Sequence, residues 1–579
     1  MLKPSAVWWV YGLAATGLVC ILISLGGNVI ASVSLQADFG VLTESNYVRL
    51  FGDRKLSAVL LRTLAQGAGS VAVMIVFSVP IAWLIARTDL PWKKTLVTLL
   101  TAKLAIPGFI TAMSYIWLFN PTSGMVNRLL GGIVTVNIYG LGWICFLQGI
   151  VLVPVCVFML LPAFQNMDAS LEEAAWVSGV SRSRAIRRVV LPLLLPGTFA
   201  AMLFFFVVAI DAFDFIGLIG LPARVEVLSL WIYDATHPTT GVPDYGFAGA
   251  AGMLLFILSG GAIALYVRFL RESQRYETLR GKARQAELLS LGPWKWPAIA
   301  LVALWVLLAF ILPVMTLVWV SLVPFLQPPS AKALNAMSMK SYGYALSYLA
   351  APLKNTLLVM AGAVVLTVVW SASISWIVTR SRMRLSRLVD STVFLSLAVP
   401  SMVAAVAFQM AGIATHTWLP LYGSIWLIAI AMATRMLTFG TRTVNAAALQ
   451  IHSELDEAAY VSGVSKLVTF RRVFLPIVAP ALFYTAVMVG MLAARELTLP
   501  LMINVGHAPM ISTLVFDLQG NGDFSIAAAV SIYMIAILLA LLFVARWFVA
   551  GREHGLMKEE GRRAKAGRRP QIAIVGGQA

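Results

Sequence analysis

Twelve apolar runs, each long enough to cross a lipid bilayer as a helix, constrain this chain more than anything else in it. They lie near residues 7–30, 58–86, 95–119, 141–162, 198–220 and 246–270, and again near 294–324, 353–379, 389–413, 421–443, 477–502 and 524–550. The hydrocarbon core of a bilayer is about 30 Å thick, which a helix crosses in about 20 residues. The runs are continuous, not alternating. Backbone groups in lipid must be satisfied within a helix or a closed barrel, so continuity selects helices and leaves little place for strands. Hydrophobic residues make up 60% of the chain and charged residues 12%, whereas soluble domains carry about 25% charge. The expected class is an all-α integral membrane protein with about twelve transmembrane helices. The first run follows a single early lysine, exceeds a signal-peptide core in length and has no small-x-small cleavage site, so it reads as a retained span.

The net charge of +18 is distributed as a membrane protein's orientation signal. Arg87, Lys93 and Lys94, then Arg182, Arg184, Arg187 and Arg188, then Arg268 through Arg284 fall on one side of the expected spans. Arg380 through Arg387, Lys466, Arg471, Arg472 and the tail from Arg546 to Arg569 fall on the same side. The opposite loops carry acids, among them Asp38, Glu44, Asp234, Asp244, Asp517 and Asp523. By the positive-inside rule the basic side is cytoplasmic and both termini lie there. No aromatic and basic platform accompanies the charge, so nucleic acid is not an expected partner. Cys20, Cys145 and Cys156 sit in apolar runs without metal-ligand spacing and read as packing residues.

The chain repeats itself. Thr63-Leu64, Trp83, Arg87 and Pro107 recur as Thr356-Leu357, Trp376, Arg380 and Pro400, all offset by 293. Residues 173–192, EAAWVSGVSRSRAIRRVVLP, recur as 457–476, EAAYVSGVSKLVTFRRVFLP, with 13 of 20 positions identical and an offset of 284. The second half therefore lacks nine residues between Pro107 and Glu173, and the loop around Asn120-Pro121-Thr122-Ser123-Gly124 is the expected place. An even number of spans separates the copies, so the halves are parallel repeats related by an axis along the membrane normal. The expected division is a first half over 1–270, a charged connector over 271–293, a second half over 294–550 and a basic tail over 551–579.

The repeated segment is a polar island between spans. Ser170 precedes Glu173 in a capping box, which starts a helix carrying Ala174 and Ala175, and Gly179 is suited to close it. Ser181 then caps a second short helix that ends at Leu191-Pro192. The second copy repeats this with Ser453, Glu457, Ala458, Ala459, Gly463, Ser465 and Pro476. Two such knobs, near 170–192 and 453–476, read as docking elements for a soluble partner. An amphipathic helix lying at the interface explains one copy but not two near-identical ones.

This E-A-A pattern, with glycine four residues on and an aliphatic-proline pair further along, resembles the EAA loop of permease subunits of binding-protein-dependent ABC importers. Both copies match it, and the resemblance covers most of the chain. It implies a type I importer-like permease fold in which each loop seats on an ATP-binding subunit through Glu173, Ala174, Ala175, Gly179, Glu457, Ala458, Ala459 and Gly463. It also implies two copies of that subunit carrying ATP and magnesium, a periplasmic solute-binding protein, and a place in the bacterial inner membrane. WIYDATHPTTGVPDYG after the first motif and RELTLPLMINVG after the second are most similar to the ferric-iron-type permeases. Thiamine, phosphonate, polyamine and other small polar solutes stay open.

The chain has no Walker A motif, and its five histidines form no ligand cluster. It is therefore not expected to be an enzyme or to hold a metal or cofactor of its own. Ionisable residues inside spans are the remaining candidates, because charge in the hydrocarbon core is costly unless paired or hydrated. Asp211 and Asp214 follow the first hairpin, Arg495 and Glu496 follow the second, and Asp211 and Arg495 are repeat equivalents. They line a pathway near its gate or form a static interhelical pair. Lys103 and Arg435 look shallow enough to snorkel. An ion-coupled secondary transporter, with the same twelve spans and no partner ATPase, is the alternative of another class.

Overall fold

A computed structural model describes residues 8–35, 38–131, 133–165, 191–275, 288–380, 385–450, 454–503 and 508–544. The first half contains α1 (Trp8–Val33), α2 (Ser45–Gly52), α3 (Leu56–Arg87), α4 (Lys93–Lys103), α5 (Gly108–Phe119), α6 (Leu141–Gln165), α7 (Leu191–Asp211), α8 (Leu228–Thr236) and α9 (Tyr245–Arg275). The second contains α10 (Gly292–Leu322), α11 (Lys340–Arg380), α12 (Leu385–Leu395), α13 (Ser401–Thr415), α14 (Ile425–Ala448), α15 (Glu454–Val461), α16 (Lys466–Arg495), α17 (Ile511–Asn521) and α18 (Phe524–Val544). Among the described residues, eight helices are long and apolar enough to cross a membrane, and up to 11 spans result when each bent pair counts as one. α14 has 24 residues, also enough to cross, but Arg435, Arg442 and its threonines dilute its apolar character.

Three of the continuous runs are broken helices. α4 meets α5 at 93°, α12 with its 3-10 extension meets α13 at 109°, and α7 meets Ile216–Ala223 at 45°. The first two breaks are repeat equivalents. Pro107 is the N-cap of α5 and Pro400 the N-cap of α13. Proline donates no backbone hydrogen bond and pushes the preceding residue out of helical geometry, so the same residue breaks the same span in both halves.

Corresponding helices pack alike. α3 lies along α6 in the first half and α11 along α14 in the second. Small hydroxyl side chains hold these pairs together: Ser78 donates to the Val153 carbonyl at 3.5 Å, Thr367 to Ala433 at 3.4 Å and Ser375 to Thr441 at 3.4 Å. In lipid no hydrophobic force draws apolar helices together, so close approach and such bonds do that work. The first span of each half also packs against the other half. Trp370 of α11 donates to Thr16 of α1 at 2.9 Å, Trp305 of α10 donates to the Ile150 carbonyl of α6 at 3.3 Å, and Tyr115 of α5 donates to the Leu308 carbonyl at 2.9 Å. The halves are thus interlocked.

Two further features of the fold depart from the sequence expectation. A short antiparallel hairpin, β1 (Ser34–Leu35) with β2 (Asp38–Leu42), follows α1; it stands past the end of the span, where backbone groups are not confined to helical bonding. The end of the connector is not merely solvated chain: Leu289 exchanges backbone hydrogen bonds with Arg87 and Asp89, and Leu291 N donates to Asp89 Oδ1 at 2.9 Å. The length difference between halves falls between Phe119 and Leu141, where a short helix, Met125–Leu129, is held by Asn127 through bonds to Phe119, Asn120 and Val136.

Candidate functional site

The first repeated hairpin, with Glu173, Ala174, Ala175 and Gly179, lies outside the described residues. The second is α15 and the start of α16. Gly463, at φ 70°, takes the left-handed conformation that closes α15, and Val464 N donates back to the Ala459 carbonyl at 3.0 Å, the bond that ends a helix on a glycine. Ser465 then caps α16, accepting from Val468 N at 3.4 Å. Ala458 is exposed and Ala459 half-buried on α15. Glu457 also lies on this helix, but its side chain is outside the described residues. Two apolar side chains on the same helix, Leu455 and Val461, are 48% and 86% exposed.

The second arm is not a separate short helix ended by Leu475-Pro476. It runs without interruption into the span, through a π-turn at Phe470–Phe474. Pro476 falls in the first turn of the following α-helical segment, where its missing N–H is tolerated because the wider turn has already rearranged the bonding. One rod of 30 residues, roughly 45 Å long, therefore joins the hairpin to Arg495. At its base Phe470 and Phe474 pack edge-on against Trp376 of α11, with ring centroids 5.5 and 5.0 Å away.

At the far end of that rod six ionisable residues gather at the broken spans. Asp211, at the end of α7, accepts from the Ser401 backbone N–H, from Ser401 Oγ at 2.9 Å and from Arg435 Nη2. Arg435 Nη1 reaches Glu496 Oε2 at 3.3 Å. Arg495 donates to the Leu104 carbonyl at 2.7 Å, and Lys103 Nζ donates to Thr111 Oγ1 at 2.8 Å. Asp214 sits in the field of Glu496, Arg495, Asp211 and Arg435. A Cβ added to Gly108 would stand 3.1 Å from Asp214 Oδ2 and 3.2 Å from the Phe215 ring, so a side chain there would crowd this acid at the start of α5. Three acids and three bases balance the cluster.

The contacts follow the polarity of the helix ends. Asp211 of the first half caps the N-terminus of α13 in the second, where unsatisfied N–H groups favour an anion. Arg495 of the second half binds a carbonyl at the C-terminal end of α4 in the first, where a cation is favoured. Residues at one repeat position thus reach across the axis to opposite ends of the two broken spans.

Sequence reasoning brought Asp211, Asp214, Arg495 and Glu496 together and misplaced two others. Lys103 is 2% exposed; the 93° bend at Pro107 turns the end of α4 inward, so it does not snorkel. Arg435 is the eleventh of the 24 residues of α14, about 15 Å from the helix start, too deep to reach either surface. Ser401 was not singled out, although its signal was present as the residue following the repeated proline.

Comparison with known proteins agrees with this architecture. The family model described as binding-protein-dependent transport system inner membrane component matches residues 78–317 and again 366–554. A probable ABC transporter permease protein of Sinorhizobium fredii, y4fN, is 26% identical over 86% of this chain and 89% of its own length. A spermidine/putrescine transport system permease protein PotC homolog of Mycoplasma genitalium is 24% identical over 48% of this chain and 90% of its own. The ferric transport system permease protein FbpB of Actinobacillus pleuropneumoniae is 25% identical over 40% of this chain and 32% of its own. The two successive matches together cover most of the sequence, so this chain belongs to the binding-protein-dependent transport system inner membrane component family, as two fused permease halves.

Proposed function

We propose that this chain is the complete membrane pathway of an importer driven by ATP hydrolysed on two separate ATP-binding subunits. Each subunit receives one hairpin, through Glu173, Ala174, Ala175 and Gly179 in the first half and Glu457, Ala458, Ala459 and Gly463 in the second. A periplasmic solute-binding protein delivers cargo to the side opposite the hairpins. The chain lies in the bacterial inner membrane with both termini cytoplasmic, and it binds no ATP or magnesium itself. The observation that carries this reading is the described hairpin, which exposes Leu455, Ala458 and Val461 and continues as a single helix into the charged cluster. Apolar side chains held out on a short polar hairpin call for a protein partner to cover them.

Asp211, Asp214, Arg495 and Glu496 are the gate on this reading, because they stand where the broken spans of the two halves meet. Movement at the hairpin end of α16 acts on Arg495 and Glu496 through a rigid rod, and the halves then alternate between outward and inward access as packed bodies. Ferric iron is the cargo we favour, on the motif-flanking sequences and the ferric permease relative. The polyamine relative marks the main alternative. The direct test is co-purification of the full chain with ATP-binding subunits and a binding protein, followed by identification of the bound solute. Isolation of the chain without ATP-binding subunits would count against the reading.

A further inference from the structure

Asp211 belongs to the first half, yet its hydrogen-bond partners, the Ser401 backbone N–H, Ser401 Oγ and Arg435, all belong to the second. Arg435 is placed differently. It holds Asp211 across the axis and Glu496 within its own half. If the halves part at the axis, Arg435 keeps Glu496 and Asp211 loses all three of these partners. A carboxylate stripped of partners inside a membrane has to be hydrated or neutralised, so parting the halves and admitting water become one event. The second crossing contact, Arg495 to the Leu104 carbonyl, breaks with the same displacement.

We propose that Arg435, with Ser401, is a positioning residue of the transport cycle: the pair holds Asp211 and so keeps the two halves in register at the axis, and the pathway opens when Arg435 releases Asp211 while keeping Glu496. This rests on the reading of the chain as a permease of two alternating halves. It adds that the release is one-sided, with the second half retaining a neutral Arg435–Glu496 pair and the first half presenting a bare carboxylate to incoming water.

The test uses the full chain in lipid nanodiscs with spin labels at exposed residues 54 and 340, which precede α3 and begin α11 on the side away from the hairpins. Distances between labels are measured without nucleotide or cargo. Arg435→Gln should raise the population of separated conformers by on the order of tenfold, the usual scale of coupling between two states. Ser401→Ala should move it in the same direction by less, and adding Arg435→Asp to Asp211→Arg should bring the distribution only part of the way back, because an arginine at 211 cannot accept from Ser401 and an aspartate at 435 faces Glu496. A parent distribution in both Ser401→Ala and Arg435→Gln overturns the proposal. Should Arg435→Gln fail to fold, an unchanged Ser401→Ala protein overturns it alone. The distances require no ATP-binding subunit, so a chain that recruits none refutes the permease reading without deciding this one.

Discussion

Arg435 of the second half binds Asp211 of the first, and the pair sits where two proline-broken spans approach each other. A charge pair between halves ties the gate to their relative position, which a pair within one half would not do. Removing one member of a buried pair leaves the other uncompensated, at a cost of about 3 kcal/mol. Asp211→Arg alone should therefore lower the thermal midpoint of the purified protein and abolish transport. Adding Arg435→Asp should recover part of both, limited by the Glu496 carboxylate that then faces residue 435, whereas adding Arg495→Asp, the exchange that the repeat alone suggests, should recover neither. Thermal unfolding in detergent and reconstituted uptake distinguish the two exchanges.

The hairpins make a separate prediction. Glu173→Arg combined with Glu457→Arg should leave the chain folded but lower ATP-driven uptake far more than either change alone, because on the proposed reading each hairpin serves one ATP-binding subunit. ATPase activity that still drives uptake at the parent stoichiometry in the double variant would exclude these acids from coupling.

Gly463 gives a more local test. At φ 70° a side chain costs roughly 1 kcal/mol, since L-residues avoid left-handed geometry. Gly463→Ala should reshape the end of α15 and reduce stimulated ATPase activity with little effect on the thermal midpoint. Gly463→Asn should keep more activity, because asparagine tolerates this conformation.

Trp376 anchors the base of the rod. Its edge-on contacts with Phe470 and Phe474 are each worth about 1 kcal/mol beyond the area they bury. Trp376→Ala should therefore destabilise the protein and lower coupling efficiency, the uptake obtained per ATP hydrolysed. Trp376→Phe should preserve most of both. Equal efficiency in the alanine variant would remove Trp376 from the force path.

Much of this organisation was legible in the residues. Apolar length placed most of the spans because every stretch in lipid must satisfy its own backbone, and the second E-A-A segment located the hairpin of the second half. What could not be read was three-dimensional bending. Pro107 and Pro400 were visible as a repeat, but the turns of 93° and 109° they permit carry Lys103 into the core and bring Ser401 to Asp211. Linear depth along a helix mistook Lys103 for a surface residue. The Asp211 and Arg495 equivalence was real, yet the partners were chosen by helix-end polarity, with an acid at an N-terminus and a base at a C-terminal carbonyl. The π-turn at Phe470–Phe474 likewise let a helix pass Pro476, which read in sequence as a stop.

The central claim, that ATP energy enters through the hairpins and reaches the gate along α16, meets its most direct test in proteoliposomes. These would contain the full chain with its ATP-binding subunits, with binding protein loaded with ferric iron outside and ATP inside. The account predicts uptake that requires both ATP and binding protein and is lost in the Glu173→Arg, Glu457→Arg variant. Uptake driven by a proton gradient in vesicles holding this chain alone, without ATP, would contradict it.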